Sequence, residues 1–494
     1  MRFDFARLSE SSAAVRRAIE RCKAIAQTVD RRQWLALRWQ VPERDVLADF
    51  LASDALDAFY WQEPKRGLSI LGLGRLTAIE AVGRERFADA AAQSRELFDN
   101  LQLHCLDESD TCEALDRGPL LLGGFAFYDT EVEAQSEWHG LGAGRLLLHE
   151  ITIVCRNGLA WVTRTCGVAP DSRVDEIQHR LAAEIAAVSH RRDLSPGCVD
   201  LAADLGLAAE TRALGPEIRV QADRTHTSYL AQVKAALEAI EAGKFEKVVL
   251  ARSLRVVGDH DFDLASFLNS LRTMFPSCAT LAVRDRDDLF VSATPERLVS
   301  LVGDQVTTSA VAGSAPRGRS PEEEARFSAA LCESEKEQVE HEVVIRSIRE
   351  ALRDACGSLE GPAAPRLLKL EGIQHLETPL CGRLREHRRG TTTVLDLVGR
   401  LHPTAAVGGA PSKTALDWLE HFEALDRGWY AGPVGYLDGR GDGEFRVALR
   451  SALLRGRSAR LFAGAGIVAG SDPSQELAET RLKLRALLAP LTEI

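Results

Sequence analysis

Residues 145–166 read RLLLHEITIVCRNGLAWVTRTC. Two β-rich runs flank Arg156-Asn157-Gly158. Asn-Gly between such runs is a strong signal for a tight turn, because both central residues must take positive φ. The stretch therefore reads as an antiparallel hairpin. Working outward, the same texture recurs. Strands are expected at 34–41, 55–61, 68–74 and 120–128, with helices at 12–28, 84–100 and 172–189. Residues 190–222 carry Pro196, Gly197, Gly206, Gly215 and Pro216 and read as a linker. Beyond it come a helix at 227–242, strands at 247–257, 279–284, 289–293, 297–301 and 305–310, and one long charged helix over 321–356. Strands at 430–437, 444–454 and 459–463 precede a closing helix at 473–489. Neighbouring strands without regular crossover helices argue for an α+β fold, with sheets packed face to face and helices outside. They argue against a doubly wound nucleotide fold.

The chain has 494 residues, 45% of them hydrophobic, which is ample for a large core. Its net charge of −11 leaves no general basic field for nucleic acid or a membrane surface. An anionic substrate would have to be captured by local cations or a metal. None of the ten cysteines forms a CxxC pair, which suits buried thiols in a reducing cytosol. The N-terminal MRFDFARLSESS lacks a signal-peptide core, and no apolar run is long enough to span a membrane. A cytoplasmic enzyme is expected.

Chemistry concentrates near the C-terminus. Gly464-Ala465-Gly466 reads as a glycine-rich turn before a helix carrying Glu476, Glu479 and Lys483. Spacings of three and four put those side chains on roughly one helix face. Glu337 and Glu340 repeat the carboxylate spacing within SEKEQVEHE. Two such helices facing each other could hold a divalent cation in oxygen ligands. Each feature also has a plain reading: a solvated acidic face for the first pair, an ordinary turn and amphipathic helix for the second. Lys247 opens the apolar run KVVLAR, either snorkelling to solvent or enclosed near other cations, where it could serve as a base. Glu296 is either a surface carboxylate after Thr294-Pro295 or an acid in a site. His341, His375 and His402 lack zinc spacing and read as packing or hydrogen-bonding residues.

Taken in order, KVVLAR (247–252), SATPERL (292–298), AGSAPRG (312–318), SEKEQVEHE (334–342), LHPTAAVGG (401–409), FAGAGIV (462–468) and ELAETRLK (476–483) resemble the chorismate-utilising enzymes. The match covers 220–494, the chorismate-binding catalytic region. Residues 1–215 look like the variable N-terminal half of the same fold. The resemblance implies two large antiparallel sheets in a sandwich with helices outside, as in anthranilate synthase component I, and a site between them. Family members that add ammonia carry glutamine at the position of Lys247, and aminodeoxychorismate-forming members carry a nucleophilic lysine at that of Ala312. Lys247 with Ala312 therefore implies water as nucleophile and no glutaminase partner.

Salicylate synthases carry threonine near Ala406. HPTAAVGG instead resembles the isochorismate synthase form, departing from it at Ala405, where proline is usual. The expected activity is magnesium-dependent conversion of chorismate to isochorismate, of the menaquinone-pathway type, by a monomer or homodimer. The alternatives are a siderophore-pathway enzyme, a salicylate synthase or a catalytically silent chorismate-binding subunit. By the same resemblance Lys247 is the base and Glu296 the acid. Glu340 and Glu479 ligate Mg2+, and Glu337 and Glu476 hold its waters. Arg450 and Lys483 bind a substrate carboxylate, and Gly313, Gly464 and Gly466 offer backbone contacts.

Overall fold

A computed structural model describes residues 7–106, 118–190 and 218–492. The 145–166 stretch forms the hairpin: strands Gly144–Arg156 and Leu159–Val168 pair antiparallel. Asn157 and Gly158 turn between them at φ 51° and 82°, the positive pair that the tight turn demands.

Two sheets spread from this hairpin. Strand Leu68–Glu80 pairs along nearly all of Gly144–Arg156, with a register shift between Arg75 and Thr77. On one side of the shift, residues 151–156 continue to Leu159–Val168 and Gln33–Pro42. There, 68–73 continue through Asp57–Glu63, Ala279–Asp285, Asp288–Thr294, Ser451–Arg455 and Ser458–Val468 to Lys247–Val257. On the other side, residues 144–148 lead through Leu121–Phe125, Pro433–Leu437, Gly443–Val447, Arg297–Val302 and Gln305–Pro316 to Ile373–Leu384. All these pairings are antiparallel. The two expected sheets are therefore continuous through the long central pair, a single network of 21 strands among the described residues. Strands pair across the two halves of the sequence, Asp57–Glu63 with Ala279–Asp285 and Leu121–Phe125 with Pro433–Leu437.

The period of two along each strand separates two cores. Phe59, Trp61, Leu281 and Phe290 of the first sheet meet Leu122, Val299, Val434 and Phe445 of the second in the layer between them. Ala58, Tyr60, Ala282, Val291 and Leu461 point the other way, beneath helices Val46–Leu51, Leu264–Met274 and Pro473–Thr492. The helices thus cover an outer face, as expected.

Several boundaries differ from the sequence reading. The long helix is two, Pro321–Glu333 and Glu335–Leu352, because Ser334 caps the second by accepting from the Glu337 amide. The run 444–454 breaks into Gly443–Val447 and Ser451–Arg455, with Arg450 at φ 45° in the break. Gly464-Ala465-Gly466 is no turn but the middle of strand Ser458–Val468. Of the expected linker, 191–217 lie outside the described residues, and Arg219–Ala222 is a strand paired with Lys247–Val257.

One buried ion pair ties the layers near the Lys247 strand. The fully buried Arg427 guanidinium donates to both oxygens of Glu423, to the Val407 carbonyl and to the Val249 carbonyl. Glu423 also accepts from the Ala251 amide. Arg427→Met would leave Glu423 buried without its cation, an imbalance worth roughly 3–5 kcal/mol. Urea denaturation should show that loss; a change below about 1 kcal/mol, the worth of an exposed pair, would contradict this role.

Candidate active site

The strand Lys247–Val257 pairs with Ser458–Val468 so that Lys247 faces Val468, Val249 faces Gly466 and Ala251 faces Gly464. Directly opposed residues project from the same face of a sheet. That face forms one wall of a cavity. Val249, Gly464 and Gly466 line it together with Glu296, Gly313, Glu340, Arg450, Glu479 and Lys483. Lys247, Glu337 and Glu476 stand behind this lining: each meets a residue that reaches the cavity or the cluster bordering it. The sequence-derived residues are therefore gathered into one place from segments spread between positions 247 and 483.

Gly466 explains how Lys247 is housed. A Cβ at Gly466 would lie 2.2 Å from Glu340 Oε1 and 3.0 Å from Lys247 Cε. The missing side chain leaves room for the Lys247 ammonium to sit 3.0 Å from Glu340 Oε1. Lys247 is 0% exposed and its nearest charged partner is a carboxylate, so it is enclosed and does not snorkel to solvent. Gly464 does similar work, since a Cβ there would come 2.9 Å from the Tyr430 hydroxyl. Gly313 lies at a bulge with φ 77°, a conformation that favours glycine. The bulge aims the Ser314 amide at Glu337, 2.9 Å away.

The carboxylates fall into two groups. Glu296 occupies the bend between strands Asp288–Thr294 and Arg297–Val302 and is 3% exposed. Burial pushes its carboxyl up to about 7, against the pull of Lys247, Lys483 and Arg450. The other four belong to helices Glu335–Leu352 and Pro473–Thr492, and all touch ammonium groups. Lys483 lies 2.6 Å from Glu479 and donates to the Gly464 carbonyl. Burial would raise the Glu479 carboxyl, but Lys483 holds it below its ordinary value. Glu476 is raised to about 7 by burial and by Glu479. Lys336 lies 2.9 Å from Glu337 and 3.0 Å from Glu476. Sequence reasoning passed over Lys336, although its place four residues before Glu340 puts it on the same helix face.

This set suits a hard divalent cation chemically, because the donors are all oxygen. One of them, Glu476 Oε2, is buried with no hydrogen-bond partner. Among the described residues, however, no three acidic, histidine or cysteine side chains converge as a finished metal cage.

Arg450 projects from the break between its two strands and is 7% exposed. Its Nη2 donates to His375 Nε2 at 2.8 Å, while Nε and Nη1 are buried with no partner. A buried guanidinium with unpaired donors suits an anion such as a carboxylate. His375 lies 3.2 Å from the Gly313 carbonyl through Nδ1, and burial and Arg450 push its pKa well down. It is thus a neutral acceptor that aims Arg450. His341 meets Thr378, and His402 the Phe127 carbonyl, as hydrogen-bonding residues should. The cavity role of His375 had no signal in sequence, since IQHLE is an ordinary strand pattern.

A methyl group at position 466 must displace the Lys247–Glu340 pair. Gly466→Ala should therefore fold but lose roughly 1–3 kcal/mol, the usual penalty for overpacking. Urea denaturation at neutral pH checks this, and unchanged stability would mean that the pair does not need the space.

Comparison with known proteins follows the same lines. Residues 17–492 match the family model described as chorismate binding enzyme. The salicylate biosynthesis isochorismate synthase of Pseudomonas aeruginosa is 35% identical over 498 aligned residues, covering 99% of this chain and 96% of the relative. Isochorismate synthase MenF of Bacillus subtilis is 32% identical over 438 residues, covering 88% and 87% of the two chains. The solved structure of MenF, the menaquinone-specific isochorismate synthase from Escherichia coli, shares the fold. Its TM-score is 0.72 at 23% identity, across 96% of this chain and 99% of that one. The family match takes in the Lys247 strand, both glutamate-bearing helices and nearly all of the N-terminal half, and on this ground the chain belongs to the chorismate binding enzymes.

Proposed function

We propose that this protein is an isochorismate synthase that adds water at the second ring carbon of chorismate and expels the hydroxyl at the fourth. The observation that carries the reading is Glu296, a buried carboxyl held protonated up to about pH 7 on the wall of a cavity that also presents unpaired Arg450 donors. The names of the two relatives aligned over most of the chain support the same chemistry.

In this mechanism Arg450 takes a substrate carboxylate through an unpaired N–H of its guanidinium, and His375 keeps the guanidinium in place. Lys247, once its ammonium has given up a proton, removes a proton from water while the water oxygen bonds to the second ring carbon. The ring double bonds shift, and the bond from the fourth carbon to its hydroxyl breaks. Glu296 gives its proton to the departing oxygen, which leaves as water. A proton donor with a pKa near the working pH is well matched to that task. Magnesium, when bound, would draw on Glu340 and Glu479 directly and on Glu337 and Glu476 through water, and would supply positive charge for the substrate carboxylate. Lys247 with Ala312 favours water over ammonia, so no glutaminase partner is needed. Ala406 on the cavity wall offers no hydroxyl for a following pyruvate elimination. Isochorismate would then feed menaquinone or a siderophore. No helix among the described residues is long and apolar enough to cross a membrane, and a cytoplasmic monomer or homodimer is proposed.

Purified protein with chorismate and magnesium should give isochorismate alone, lost on adding chelator, by chromatography. Salicylate with pyruvate would move the assignment to a salicylate synthase, and ammonium-dependent anthranilate would remove water as nucleophile. Lys247→Gln should abolish product while the protein stays folded; normal turnover by that variant would exclude Lys247 as base.

The acid form of Glu296 is present below about pH 7 and lost above it. Accordingly kcat/KM should fall about tenfold per pH unit on the alkaline side, as loss of one essential proton requires. Glu476 is also raised to about 7. The limb therefore belongs to Glu296 only if Glu296→Gln removes it while lowering the rate roughly 10²–10⁴-fold. A wild-type profile that is flat from about pH 6 to 9 would exclude Glu296 as the acid.

A further inference from the structure

Lys336 has no part in the chemistry above, yet its ammonium touches more of the acidic cluster than any other cation described. Nζ lies 2.9 Å from Glu337 Oε1, 3.0 Å from Glu476 Oε1 and 3.9 Å from Glu340 Oε2. Two of those partners share its helix, and the third reaches across from helix Pro473–Thr492. Lys336 stands in the first turn of its own helix, where the macrodipole disfavours a cation. Local helix stability therefore gives no reason for a lysine here. What the position supplies is a compact positive charge among carboxylates that would otherwise repel one another.

Resting on the metal-site reading above, we infer that Lys336 is a resident counter-cation: its ammonium holds the two glutamate helices together in the metal-free protein, and a divalent ion binds by displacing it. The four-carbon stem permits that exchange. Lys336 is 22% exposed, so the side chain has an outward path and need not cross the core. Lys247 and Lys483 lack that freedom. The first is fully buried, and the second is also tied to the Gly464 carbonyl. The exchange accounts for two facts together: an all-oxygen donor set with an orphaned oxygen at Glu476, and the lack of a finished cage among the described residues. Ion and ammonium compete for the same oxygens, so each must weaken the other to the same degree.

The test uses the full chain, stripped with chelator and titrated with Mn2+, which is read by paramagnetic resonance. Lys336→Met should bind Mn2+ about tenfold more tightly than the wild type, within the usual range of coupled sites. It should also melt at a lower temperature without metal and show a larger upward shift on loading. Lys336→Arg, which keeps the charge, should restore weaker binding. Labelling with an amine-reactive ester, read by peptide mass spectrometry, should show Lys336 protected with chelator and modified with Mn2+. Equal Mn2+ affinity in folded wild type and Lys336→Met, or protection of Lys336 that metal does not change, would overturn the exchange and leave the metal site standing. Failure of both proteins to bind Mn2+ would remove the metal site itself, and the exchange with it.

Discussion

The register between Lys247–Val257 and Ser458–Val468 is the constraint on which the site depends. Side chains alternate along a strand, so a slip of one residue would put Gly464 and Gly466 on the face opposite Lys247. In the observed register Gly466 lies beside the lysine and clears the space it needs, while Gly464 makes room for the Tyr430 hydroxyl. The same strand runs directly into helix Pro473–Thr492, which brings Glu476, Glu479 and Lys483 back over that face. Strand Gln305–Pro316 leads in turn to the helix of Glu337 and Glu340. The four clustered carboxylates thus arrive on helices that follow these strands, Glu337 and Glu340 by way of the intervening helix Pro321–Glu333. The Arg427–Glu423 pair braces the wall from behind, at the carbonyl of Val249 and the amide of Ala251.

Charge is arranged differently around the carboxyl groups. The cluster on the two helices is compensated: Lys247 faces Glu340, Lys483 faces Glu479, and Lys336 faces Glu337 and Glu476. Buried carboxylates persist as anions only with such partners. Glu296 has cations in its field but no ion pair among the described residues, so burial dominates and the proton stays. One site therefore holds Glu296 with its carboxyl raised and Glu479 with its carboxyl lowered, separated by environment and not by residue type. Arg450 reverses the pattern, being a buried cation with two donors left for a ligand.

Where expectation and structure part, tertiary contact is the cause. Gly464-Ala465-Gly466 looks like a turn because glycine is common in turns, but here glycine admits the side chains of neighbouring elements. The run 444–454 is apolar enough for one strand, yet it breaks at Arg450 and so projects that guanidinium into the cavity. The run KVVLAR allows Lys247 either to snorkel or to be enclosed, and the contact with Glu340 decides for enclosure. The hairpin at 145–166, the strand at 247–257 and the closing helix were legible because each carries its own local signal: turn residues, an apolar run or a helical spacing of charge. Helix Leu264–Met274, strand Ile373–Leu384 and helix Ser412–Phe422 were not read, although two of them carry His375 and pack beside the Lys247 strand.

The α+β class, the helical spacing that pairs Glu337 with Glu340 and Glu476 with Glu479, and the family to which the ordered motifs point are all legible in the amino-acid order. These depend on local periodicity and on residue order, which a linear chain carries in full. The continuity of the two sheets through one long strand pair, the place of Lys336 among the glutamates and the contact by which His375 aims Arg450 emerge with the folded chain alone. Those outcomes depend on distances between segments far apart in the chain, and such distances are set by packing, register and burial acting together.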